Sequence, residues 1–290
     1  METHEASASI SVVPSGKTLG AEIVGMNAAG GLDEASAAIV RKALDDYGVV
    51  VLRGQRLEPK DQVAFSAMLG KLRVSFLSDM TVPGAPELMV VSNIVRDGKP
   101  IGLVDAGALW HTDGSYLPRP DMYTVLYALQ VPERDGRTLG PTAFLSAVHA
   151  YETLPDDLRA QVEGARAVHS WSHHIRRKQE TGFKAPPKAD DKPDVEHPVV
   201  RIHPHTGRKC LFVTEGHTKA IVGMPQAQSD ELLQRLFAHI KRPEGIHRHE
   251  WQVGDLLIWD NCSTQHLAIT DYGDLPRKLH RAGVEGPVPV

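Results

Sequence analysis

The apolar residues of this chain come in short runs. Val49-Val50-Val51-Leu52, Leu88 to Val91 and Tyr123 to Leu129 are each a few residues long and bounded by Gly, Pro, Asp or other turn-forming residues. That pattern builds buried strands joined by turns, and it leaves little room for long helices. Further strands are expected at Ile10 to Val13, Ala21 to Val24, Val199 to Ile202, Arg208 to Val213 and Asp255 to Trp259, with His205-Thr206-Gly207 turning a hairpin and a loop from Asp260 onward. A helical period occurs only in a few places. Asp33 offers an N-cap to a helix whose apolar face is Ala37, Val40, Leu44 and Tyr47 and which Gly48 ends; others are predicted over Pro59 to Leu69, over Ala147 to Val162, and around Leu232, Leu233, Leu236, Phe237 and Ile240. The expectation is a mainly β fold with flanking helices, of which a jelly roll is one form.

At 290 residues one core is large enough to be stable, and no repeat, low-complexity tract or linker divides the chain, so residues 1–290 are read as a single domain. Within it, 176–198 is the most polar stretch, with Arg176-Arg177-Lys178, Pro186-Pro187 and Asp190-Asp191; it reads as a solvated excursion or a mobile lid. The net charge of −4 argues against a general nucleic-acid binder, and no apolar run approaches the roughly 20 residues of a membrane-spanning helix. Cys210 and Cys262 are too few for a disulfide framework, and Met1 to Ser9 lacks the basic and apolar parts of a signal peptide, so a cytoplasmic protein is expected.

One His-x-acid triplet occurs, His111-Thr112-Asp113. With 15 His and 36 acids, chance would supply roughly two, so the triplet alone is weak. Its setting strengthens it: Trp110-His111-Thr112-Asp113-Gly114 alternates like a strand edge entering a loop, which puts imidazole and carboxylate on one face. The best third ligand is His266, a few residues beyond the apolar strand ending at Trp259; Cys262 ranks below it, since a soft thiolate favours zinc. Two His and a carboxylate with open positions form the facial triad of non-heme Fe(II) oxygenases. Downstream, Arg277 and Arg281 stand four apart and so share a strand face, and guanidinium groups suit bidentate carboxylate binding.

Together with these residues, Gly140-Pro141-Thr142-Ala143-Phe144 leading into Ala150-Tyr151-Glu152, His197-Pro198-Val199-Val200-Arg201, Leu211-Phe212-Val213-Thr214-Glu215-Gly216 and the stretch from Trp259-Asp260-Asn261 to Arg281 resemble, in order, the taurine and 2,4-dichlorophenoxyacetate dioxygenase family of Fe(II)/2-oxoglutarate enzymes. The resemblance runs from about Gly20 to Pro287 and implies a double-stranded β-helix, a jelly-roll variant, with iron held by His111, Asp113 and His266. It implies that Arg277 pairs with the distal carboxylate of 2-oxoglutarate beside Thr142, and that Arg281 meets an acidic group of the substrate. It also shows departures. Ser75 stands where taurine-specific relatives have a sulfonate-binding His, Gly107 replaces an Asn of their pocket, and His174, Ile175 and His217 differ as well, so taurine is a poor candidate.

The reaction implied is hydroxylation of a small, anionic organic molecule, with 2-oxoglutarate and O2 as cosubstrates and succinate and CO2 as coproducts. A carboxylate at Asp113 favours hydroxylation over halogenation, because related halogenating enzymes carry Gly or Ala there. Family members commonly self-associate, which makes a homo-oligomer the expectation. Two other readings compete. A zinc hydrolase could use the same three ligands but would leave Arg277 and Thr142 without a role; a non-catalytic jelly-roll module would keep the metal as a clip.

Overall fold

The computed structural model describes residues 9–75, 77–184 and 192–290. Two sheets face each other. The larger has nine strands, in the order Ser11–Pro14, Ala21–Val24, Val49–Leu52, Leu256–Asp260, Asp121–Gln130, Lys278–Glu285, Ala85–Ser92 and Thr81–Val82, with Leu72–Arg73 paired beside Lys278–Glu285. The smaller places Thr142–Ser146 between Ile246–His249 and Thr264–Ala268. Strands from both ends of the chain meet in the centre of the larger sheet, so no cut in sequence separates two self-contained sheets.

Side-chain alternation sorts the residues into layers. Along the larger sheet Val125, Tyr127, Leu256 and Ile258 face one core, which helices α1 (Glu34–Tyr47) and α2 (Pro59–Ala67) cover with Val40, Leu44 and Phe65. The intervening Leu126, Ala128, Leu257, Trp259 and Leu279 face a second core, shared with Phe144 of the smaller sheet. The outer face of that sheet, Ala143 and Leu145, packs on α3 (Ala147–Glu152), α4 (Asp156–Val162) and α6 (Gln226–Ile240). Strands buried on both faces explain the uninterrupted apolar runs, and each fully buried leucine contributes roughly 1.5–3 kcal/mol. The result is a jelly roll, mainly β with flanking helices.

The expected cap is present: Asp33 accepts a hydrogen bond from the Ser36 N–H at 2.7 Å, and the Gly48 N–H closes α1 on the Leu44 carbonyl at 2.8 Å. Three expectations change. The helix over Ala147 to Val162 is two, because Pro155, which has no N–H to donate, begins a new helix as its N-cap. The loop expected from Asp260 onward is a tight turn into the strand Thr264–Ala268, which carries His266. Of the segment 176–198, residues 185–191 lie outside the described residues; its flanks are regular, since α5 (Trp171–Glu180) contains Arg176 to Glu180 and Val195–Pro198 is a strand. No helix among the described residues is long and apolar enough to cross a membrane.

Candidate active site

The site lies between the sheets. Phe144 points into the space between them, and its cross-strand partner is His266; Thr142, two residues earlier, shares that face and pairs with Ala268. From the opposite sheet Arg281 is paired with the inward-facing Leu126, and Arg277, four residues before it, has the same parity. His111 arrives from the loop and is stitched to its partner ligand by two backbone hydrogen bonds, His111 N–H to the His266 carbonyl at 3.1 Å and His266 N–H to the His111 carbonyl at 2.9 Å. The sequence expectation of a strand edge at Trp110 to Gly114 is thus met by a single bridge.

His111, Asp113 and His266 offer ligand atoms that all lie within 4.8 Å of one another. The His111 Nε2 is 3.6 Å from Asp113 Oδ1 and the His266 Nε2 is 3.8 Å from Asp113 Oδ2, too far for direct hydrogen bonds and suited to sharing one divalent ion. The orientation of each ligand is fixed from behind. His111 Nδ1 lies 2.7 Å from the Leu109 carbonyl, which places the proton on Nδ1 and leaves Nε2 as the donor to a metal. Trp259 and Phe144 flank the His266 ring at centroid distances of 4.6 and 6.0 Å. Asp113 accepts from the Thr124 hydroxyl at 2.6 Å, while Asn261 accepts from the Asp113 N–H at 3.2 Å and donates to Thr124 at 3.0 Å.

The electrostatics match that role. Burial alone would raise the Asp113 carboxyl, but the Arg281 guanidinium and the two imidazoles outweigh it and hold it well below the usual carboxylate range. Burial, reinforced by His111, keeps the His266 imidazole well below its ordinary value. An ionised carboxylate beside a neutral imidazole is what a divalent cation binds.

These ligands open onto a cavity of about 190 Å³ whose wall also includes Ser75, Gly107, Thr142, His174, His217, Arg277 and Arg281, so every sequence-predicted site residue but Ile175 reaches it. Ile175 is buried but not on that wall. Arg277 is 5% exposed; its guanidinium lies 5.8 Å from the Tyr272 ring centre and has no ion pair among the described residues. Thr142 accepts from the Trp251 indole N–H at 3.1 Å, which leaves its own hydroxyl proton to donate. Gly140, at φ +70°, makes room: a Cβ there would stand 2.9 Å from the Tyr272 ring and 3.2 Å from Arg277 Nε. Gly107, at φ +77°, does the same for His111, whose Cε1 would be 3.2 Å from an added Cβ.

Arg281 is placed differently from the reading its position suggested. Its Nη2 is 3.1 Å from Asp113 and 3.0 Å from Asp121, and Asp121 in turn holds Arg73 at 2.6 Å. Sequence reasoning also passed over Thr124, Asn261 and Trp251; only Asn261 left a signal, as part of the quoted Trp259-Asp260-Asn261 stretch. Beside it, fully buried Asp260 accepts from Ser263 at 2.6 Å, lies 2.6 Å from His203 Nε2 and caps the Cys262 N–H at 2.7 Å, which tightens the turn into the His266 strand. Asp260→Ala is expected to cost about 3–5 kcal/mol, as breaking a buried charged network does, measured by urea denaturation. A loss under about 1 kcal/mol, the worth of an ordinary hydrogen bond, would contradict that role.

Comparison with known proteins places this geometry. The family model described as taurine catabolism dioxygenase TauD, TfdA family matches residues 11–282. The chain is 32% identical over 268 residues to the α-ketoglutarate-dependent 2,4-dichlorophenoxyacetate dioxygenase of Burkholderia sp. strain RASC, covering 89% of this chain and 88% of that protein. It is 33% identical over 279 residues to an alkylsulfatase of Acinetobacter baylyi, covering 93% and 83% respectively. A crystal structure of a taurine dioxygenase from Burkholderia xenovorans superposes with a TM-score of 0.80 at 34% identity, covering 97% of this chain and 91% of that one.

Proposed function

The chain belongs to the taurine catabolism dioxygenase TauD, TfdA family of Fe(II)/2-oxoglutarate-dependent dioxygenases, and from that premise we propose that His111, Asp113 and His266 hold the iron while Thr142 and Arg277 receive the distal carboxylate of 2-oxoglutarate. When bound, ferrous iron supplies the oxidising chemistry: 2-oxoglutarate and O2 give succinate and CO2, and a C–H bond of a small organic substrate is oxidised. The single observation that carries the assignment is the inward convergence of two imidazoles and one ionised carboxylate on a cavity that also holds a buried, unmatched guanidinium.

The chain's own residues supply placement and dryness. Thr124 and Arg281 hold the Asp113 carboxylate, and Asn261 holds the Asp113 N–H and the Thr124 hydroxyl, so little reorganisation accompanies metal entry. Arg277 is buried where solvent screens it little, so a carboxylate reaching it gains a strong, bidentate-capable partner. His174 and His217 stack at 4.3 Å between ring centres; burial lowers His174 to about 3 and pushes His217 well down, so both are uncharged walls rather than acids at neutral pH. With Ser75 and Gly107 they frame the substrate side of the cavity, and the excess of basic over acidic groups on its wall supports an organic anion.

Anaerobic addition of Fe(II) and then 2-oxoglutarate is expected to give the visible charge-transfer band of a bidentate 2-oxo acid chelate. The same addition with Zn(II) gives none. Absence of the band with Fe(II) at saturating 2-oxoglutarate would sink the assignment.

A further inference from the structure

Four cations face the cavity, Arg73, Lys178, Arg277 and Arg281, against three carboxylates, Glu87, Asp113 and Asp121. Two of the cations are already matched: Arg281 by Asp113 and Asp121, and Arg73 by Asp121. Arg277 is matched, on the reading above, once 2-oxoglutarate binds. Lys178 remains.

Lys178 is 2% exposed and lies on α5, one turn beyond His174 and two beyond Trp171, so all three share the helix face that lines the cavity. Its ammonium donates one hydrogen bond, to the Asp105 carbonyl at 2.9 Å, which leaves two of its three N–H groups without a protein acceptor among the described residues. The Asp105 carboxylate is turned elsewhere, accepting from the Lys184 N–H at 3.1 Å, and no ion pair joins Lys178 to half-buried Glu87. Burial pushes Lys178 down to about 8, with Asp105 the opposing influence, so at neutral pH it keeps its proton for the most part. Holding a buried ammonium without a carboxylate in direct contact is unfavourable, and an anion arriving from the cavity would relieve it.

The structure assigns to Lys178 the recognition of the primary substrate's anionic group, a carboxylate or a sulfate-type oxyanion, the role that the sequence suggested for Arg281. The assignment rests on the dioxygenase reading. The rings of Trp171, Tyr116, His174 and His217 line the wall beside it, with Tyr116 at 4.6 Å from Trp171 and 5.2 Å from His217 between centres, so the body of the anion would rest on apolar and π surfaces.

The test measures anaerobic binding of two anions, 2,4-dichlorophenoxyacetate and hexyl sulfate, to the Fe(II) protein by calorimetry, in wild type, Lys178→Met and Lys178→Arg. Wild type is expected to bind at least one of them saturably, and the responder distinguishes carboxylate from sulfate ester. Lys178→Met should weaken that binding about tenfold or more, with Lys178→Arg retaining most of it. The 2-oxoglutarate charge-transfer titration in the same samples should stay within about twofold of wild type, since the cosubstrate's carboxylate goes to Arg277. Equal anion affinity in wild type and Lys178→Met overturns the proposal. So does failure of wild type to bind either anion at millimolar concentration, or a parallel loss of 2-oxoglutarate binding in Lys178→Met. A missing charge-transfer band in wild type overturns the dioxygenase reading itself, and this assignment with it.

Discussion

Asp113→Ala is expected to abolish succinate formation and iron retention together. The loss should exceed the roughly 10–100-fold that removing a supporting partner of a metal ligand costs, because Asp113 is the only carboxylate among the three grouped donors. Its removal also leaves Arg281 with Asp121 alone and the Thr124 hydroxyl without its acceptor, so the site becomes more positive where a divalent cation must sit. Thr124→Val provides the contrast. It keeps the ligand and removes the 2.6 Å hydrogen bond that orients it, together with the acceptor that Asn261 uses at 3.0 Å, so a smaller fall, within that 10–100-fold range, is expected. Iron content after desalting and succinate release, measured side by side, separate the two cases. Near-normal succinate from Asp113→Ala would mean that the metal is held elsewhere.

The contrast between Asp113 and Arg281 shows what the sequence carried and what it did not. The ligand triad was legible because its members are of the right type and two of them are two residues apart; the strand from Thr264 to Ala268 then brings the third to its neighbour through a β-bridge. The strand that holds His266 was itself hidden, since Asp260-Asn261-Cys262-Ser263 looks like the start of a loop and is a turn between two sheets. Arg281 was placed in the cavity correctly by strand parity with Arg277. Its partners were not visible: Asp121 lies 160 positions away in sequence, and only the pairing of Lys278–Glu285 with Asp121–Gln130 brings them together. Lys178 was obscured for another reason. It belongs to Arg176-Arg177-Lys178, a charge run that reads as solvated, and helical geometry turns two of these outward and the third into the cavity. Residue type is thus read locally, while the partner that decides a charge's role is set by tertiary pairing.

Arg277→Ala is expected to raise the 2-oxoglutarate KM by about 30-fold or more, the floor set by roughly 2 kcal/mol for truncating one partner of a buried charge pair. The effect on kcat at saturating 2-oxoglutarate should be smaller, because the guanidinium grips the end of the cosubstrate remote from the chemistry. Without cosubstrate the sign of the stability change is reversed. Burial lowers the Arg277 pKa, with Tyr272 the only opposing influence, so the wild-type protein carries an uncompensated charge there. Replacing it should leave the apo protein as stable as wild type or more so. Thermal unfolding with and without 2-oxoglutarate therefore gives a readout independent of turnover. Cosubstrate at a hundred times its Kd should stabilise the Fe(II) wild type by about 2.7 kcal/mol and the variant, at the same concentration, much less. Arg277→Lys should restore only part of the affinity, since a point charge cannot reproduce a planar two-pronged contact. Unchanged 2-oxoglutarate affinity in Arg277→Ala would move the carboxylate site away from the end of the strand Lys278–Glu285, and with it the direction in which the cosubstrate enters the cavity.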